Sequence, residues 1–136
     1  MIGGLVMKLT RPFLCIAALL VVACSNSTAP DLRTGIWGGS HVGLSVEDSR
    51  VFFLFDCAGG EVDNTISFAA DGKFDVTGTF SFGGNIVGGD HSPHPARYFG
   101  RLVGTHITFT RVLLDGSLTD MSFSADFGAA PSIVAC

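Results

Sequence analysis

The chain is poor in charge and has no surplus of positive charge. Of its 136 residues, eight are Lys or Arg and twelve are Asp or Glu, a formal net charge of −4. No cluster of basic side chains occurs, so the sequence lacks the electrostatic footprint of a nucleic-acid binder or of a protein held by anionic lipid headgroups. No uncharged apolar run reaches the roughly 20 residues that a spanning helix requires; Phe13 to Ala23 has 11. No segment carries a stripe of apolar residues at helical spacing, which argues against an α-helical domain. There is no Gly-x-Ser-x-Gly elbow of a serine hydrolase. The pairs Gly83-Gly84 and Gly88-Gly89 stand without the Lys and the strand-then-helix setting of a phosphate loop. Asp56, just before Cys57, has no paired carboxylate nearby for acid/base work. The expectation is a binding or structural protein rather than an enzyme, with no cofactor.

What is present begins with an export pattern. Lys8 and Arg11 precede the apolar run, and small residues follow, in the order of a secretory signal. Val21-Val22-Ala23-Cys24-Ser25 places a branched residue three positions before a cysteine and a small residue just before it. This resembles the lipobox of bacterial lipoproteins. The resemblance implies cleavage before Cys24 and attachment of diacylglycerol to its thiol, followed by N-acylation. It makes residues 1–23 a signal peptide and residues 24–34 an acylated cysteine and flexible tether, rich in Ser, Asn and Pro. Anchoring by several acyl chains is durable. Ser25, where an inner-membrane retention signal would have Asp, implies the outer membrane and a domain facing the periplasm.

Lys8 and Arg11 leave with the signal, so the remaining 113 residues carry six basic and twelve acidic side chains. Eleven of the twelve Phe also remain, a large aromatic volume for a single domain of this size. Of four cysteines, Cys15 is removed and Cys24 is lipidated. Cys57 and Cys136 are left in an oxidising compartment and are expected to pair, with a metal thiolate pair or free thiols as the alternatives.

From Gly35 to the end the apolar period is two. Val62, Asn64, Ile66 and Phe68 alternate with Glu61, Asp63, Thr65 and Ser67. Asp71-Gly72 follows, and Phe74, Val76, Gly78, Phe80 and Phe82 continue on one face. An Asp-Gly pair between alternating runs is a strong hairpin signal, and Asp115-Gly116 repeats it. The pattern predicts strands at Ile36 to Val46, Arg50 to Cys57, Val62 to Ala69, Lys73 to Phe82, Arg97 to Val103, His106 to Leu113, Leu118 to Phe127 and Ser132 to Ala135. Eight strands in a meander form an all-β domain spanning residues 35–136, expected to close as a small antiparallel up-and-down barrel. A two-sheet β-sandwich is the alternative. Trp37 has the opposite parity from Val42, Leu44 and Val46, so a bulge at Gly38-Gly39 is expected to bring both inward.

Gly35-Ile36-Trp37 resembles the first strand of lipocalins and avidin-like barrels, in which the Trp plugs one end. Trp37-Gly38-Gly39-Ser40-His41, then Phe55-Asp56-Cys57-Ala58 with Gly60, Asp71-Gly72-Lys73-Phe74 and the terminal cysteine resemble a group of short exported bacterial proteins. That resemblance implies the fold and the Cys57 to Cys136 bridge and carries no chemistry.

The candidate sites follow from this layout. Phe68, Phe74, Phe80, Phe82, Phe109, Phe123 and Phe127 are expected to face inward, and an eight-stranded barrel is just wide enough to be filled by side chains or to hold one small ligand. Trp37, His41, Phe68, Phe80, Phe109 and Phe123 are the candidate ligand-binding set. Asp90, His91 and His94, within five residues of a Pro-stiffened loop, are a candidate metal site. Phe52 and Leu54 make the second strand apolar on its outer face, which needs a cover: a protein partner, a second copy or the long loop. The functional expectation is a membrane-anchored binding module for an apolar small ligand or a protein partner. A lipoprotein with a packed core that serves only structure or interaction is the alternative, with a metal-dependent enzyme behind it.

Overall fold

A computed structural model describes residues 28–83 and 91–136; Cys24, the rest of the export segment and Asp90 lie outside the described residues. Eight antiparallel strands form a closed barrel in which each strand pairs with its neighbours in sequence. They are β1 (Gly35–Gly39), β2 (Val42–Val46), β3 (Val51–Phe55), β4 (Ala58–Val62), β5 (Lys73–Phe82), β6 (His94–Val103), β7 (His106–Leu113) and β8 (Met121–Phe127). Pairing of Trp37 with Phe127 and of Gly38 with Asp126 joins β1 to β8. That closure removes both sheet edges and rules out the sandwich.

Several boundaries differ from those the alternation predicts. The expected first strand is a hairpin, folded at Ser40-His41, with His41 in the left-handed region at φ 63°. The fold-back sets Trp37 directly opposite Leu44, so both face inward without a bulge. The expected strand Val62 to Ala69 does not form. Only Val62 belongs to a strand, and that strand is the glycine-rich Ala58–Val62. Ile66 and Phe68 leave the ladder instead and pack into the end of the barrel, Ile66 buried and the Phe68 ring 5.3 Å from Phe74. Ser132 to Ala135 is not a strand either; Ser40 and Ser132 make one isolated parallel bridge. β6 starts three residues earlier than expected and β8 three later.

The middle of the barrel is filled. Phe53 lies flat on Tyr98, with ring centroids 4.2 Å apart, and the edge of Phe109 meets it at 5.2 Å. Trp37, Leu44, Phe80 and Ile107 are fully buried around this stack. Tyr98 donates its hydroxyl to the Thr79 carbonyl at 2.7 Å, and burial pushes its ionisation well above the usual phenol range. Gly60 makes room for that hydroxyl: a Cβ there would lie 2.1 Å from the Tyr98 oxygen. This close approach explains why β4 is built of glycine and shows no alternation.

The two ends differ. The end holding the β2–β3 turn, the 63–72 connection and the chain entry is closed by Trp37, Phe127, Ile66 and Leu32. There Trp37 donates its indole N–H to the Arg33 carbonyl at 2.9 Å and meets Phe127 edge-on. The other end carries the Ser40-His41 turn, the Asp56-Cys57 turn and the start of β8. The C-terminal tail, residues 128–136, connects the two along the outside. It leaves β8 at the closed end through Gly128 N–H to Ile36 C=O. It then passes over Gly38 and Gly43, where any Cβ would collide with Ala129, Ala130 or Pro131. Ser132 bonds Gly39 and His41, and Val134 bonds Cys57. Cys136 ends at disulfide-bonding distance from Cys57, the Cα atoms 5.1 Å apart.

Candidate functional site

The open end holds a cleft of about 740 Å3, within the ordinary range of small-molecule sites, roughly 300–1,000 Å3. Its wall is aromatic and aliphatic: Phe55, Phe80, Phe82, Phe123, Leu118 and Met121. Each ring arrives there by strand parity. Phe55 ends β3, Phe80 and Phe82 end β5, and Phe123 is near the start of β8, so inward side chains at the same barrel end converge. Phe55 and Phe123 lie 4.8 Å apart, and Phe80 and Phe82 meet edge to face at 5.3 Å. Met121 is half exposed at the lip.

Beneath these rings lies Arg111, only 5% exposed, on the inward face of β7 between Phe109 and Leu113. Its guanidinium stands 4.7 Å from the Phe80 ring centroid, 5.7 Å from Phe55 and 6.0 Å from Phe123. Its Nη2 donates to the Thr119 carbonyl at 3.1 Å, whereas its Nε has no hydrogen-bond partner among the described residues. Burial is the main cause of a lowered affinity for its proton, offset in part by Tyr98 and Asp120. Arg111 is not among the candidate residues that the sequence offers. The signal was available: one charge at the inward parity of an otherwise apolar series, Ile107, Phe109, Arg111, Leu113.

The rim is polar. His41 Nδ1 lies 2.5 Å from Asp56 Oδ2, and Asp56 Oδ1 accepts the Val134 N–H at 2.8 Å. The amide bond and His41 together hold the Asp56 carboxyl below its ordinary range despite partial desolvation. His41 is thus a turn residue clasped to the next hairpin, not a residue inside the expected strand Ile36 to Val46. Two further His–Asp couples form on the surface: His94 with Asp115 at 2.6 Å and His106 with Asp126 at 2.7 Å.

The predicted ligand set divides between the two ends. His41, Phe80 and Phe123 line the cleft. Trp37 and Phe109 belong to the packed core, and Phe68 packs by the closed end. Of the predicted metal set, His91 Nδ1 bonds the Phe82 carbonyl at 3.0 Å and His94 pairs with Asp115. No group of three metal-ligating side chains converges among the described residues. On the outer face, Phe52 lies beneath the Arg50 guanidinium, 5.6 Å away, and Leu54 remains half exposed.

In comparisons with known proteins, no family model, curated protein or solved structure matches this chain.

Proposed function

We propose that the protein is a binding module that takes a small, largely apolar molecule into the open mouth of its barrel. The observation that carries this reading is the cleft of about 740 Å3 lined by four Phe rings, Leu118 and Met121. A barrel that served only as a packed core would fill this end as it fills the other. The aromatic wall supplies rigid apolar contact, and the few polar groups at the floor and rim supply orientation, the usual composition of a small-molecule site.

The export pattern and the lipobox resemblance support a module held on a membrane through Cys24, and the acidic balance of charge gives no footprint for nucleic acid. The described chain enters the barrel at its closed end through Leu32 and Arg33, so a lipid on Cys24 would attach the module from the end opposite the mouth. The half-exposed Leu54 on the outer face supports a second reading, a protein partner docked on β3.

Native mass spectrometry of the purified, oxidised protein before and after mild organic extraction tests the proposal. An adduct of a few hundred daltons that extraction removes supports a mouth ligand. A bare mass that takes up no apolar compound on titration favours the protein-partner reading.

A further inference from the structure

From Arg111 we infer that the ligand is an amphipathic organic anion, its carboxylate seated on the Arg111 guanidinium and its apolar body lying between Phe82, Phe123, Leu118 and Met121. The inference rests on the mouth-binding reading and deepens it by naming the chemical class.

A cation inside an aromatic barrel is expensive, because its desolvation is only partly offset by neighbouring rings. A Met or Leu would fill the same volume at no such cost, so a packing role alone does not explain an arginine. Internal neutralisation does not explain it either. Arg50, Arg97 and Arg101 each have a carboxylate partner, at Glu61, Asp75 and Asp71 respectively. Arg111 forms no ion pair among the described residues; Asp120 acts on it only at longer range. Asp56, the acid nearest the rim, is already held by His41 and the Val134 amide.

Phe80 covers one side of the guanidinium at 4.7 Å, the Thr119 carbonyl takes one N–H, and Arg111 itself lines the 740 Å3 cleft, its Nε unbonded. A planar carboxylate matches the paired N–H groups of a guanidinium edge better than a hydroxyl or an amide does. A water-excluding aromatic wall strengthens such a contact. Between Arg111 and the polar rim of Ser40, His41, Asp56 and Ser122, the wall of the cleft is apolar, which selects an apolar body behind the charged head.

The test is a headgroup series at fixed chain length: decanoate, decan-1-ol and decyltrimethylammonium, titrated calorimetrically into the purified, oxidised protein. Decanoate is expected to bind about tenfold to hundredfold tighter than the alcohol, with the ammonium weakest. Arg111→Met is expected to abolish the preference for decanoate over the alcohol. Equal binding of decanoate and decanol, or a preference for the ammonium, overturns the anion assignment and leaves the apolar mouth standing. Failure of all three to bind overturns both. Should Arg111→Met not fold, the order of headgroups on the native chain decides the matter alone.

Discussion

Replacing Cys136 with Ser removes the only covalent tie between the tail and the barrel among the described residues, and the loss can be worked from the chain. Cys57 and Cys136 are 79 residues apart in sequence. In the chain-entropy treatment, closing a loop of that length in the unfolded state stabilises the fold by about 4.5 kcal/mol at 25 °C. Against a typical total of 5–15 kcal/mol for a domain, that share is large. The tail is also held by Ser132 with Gly39 and His41 and by Val134 with Cys57 and Asp56. These bonds keep the folded structure the same, so the effect falls mainly on the unfolded state. Urea unfolding of Cys136→Ser is therefore expected to show a midpoint drop equivalent to roughly 3–5 kcal/mol. The native chain under reductant should show the same drop, and Cys57→Ser combined with Cys136→Ser should add nothing. A loss below about 1 kcal/mol, or a loss that doubles in the double variant, would refute the reasoning.

Phe53→Ala empties the centre of the aromatic stack on Tyr98 and Phe109, and a cost of about 3–5 kcal/mol in urea unfolding is expected. Gly38→Ala places a methyl 2.3 Å from the Ala129 carbonyl oxygen; the tail must lift, at a cost of about 1–3 kcal/mol, and limited proteolysis should cut the C-terminus faster. Asp115 has its carboxyl pulled down to about 2 by Ser117 and His94. The folded value lies below the unfolded one, about 3.9, so its contribution is full above pH 4 and disappears as pH falls toward 2. Asp115→Asn should therefore flatten the acid limb of the stability profile, with the two proteins converging near pH 2.

The readable part of the sequence was the part where alternation meets a ladder. Lys73–Phe82 and His106–Leu113 appear as expected because their inward faces carry large apolar residues at every position but Gly78 and Arg111. Ala58–Val62 was invisible, since its strand comes from pairing with β3 and β5, while Tyr98 and Thr79 crowd Gly60 and leave no room for a side chain that would show alternation. The alternation at Val62 to Phe68 was real but served a plug at the barrel end. The Ser40-His41 turn lacks the Asn-Gly chemistry that marks tight hairpins, and its left-handed residue is a His tied to Asp56, 15 positions on. Such pairings exist only once the strands are in register. Of the candidate site, the rings were legible by parity and the cationic floor was not, because a lone Arg in a strand is ordinarily assigned to the solvent face.

The most direct test of the central claim is a methyl-resolved NMR titration of the oxidised protein with decanoate. The account predicts saturable shifts at the Met121 and Leu118 methyls, with those of Leu54 on the outer face of β3 unmoved. Shifts confined to Leu54, or spread evenly over the surface, would contradict a ligand site in the mouth of the barrel.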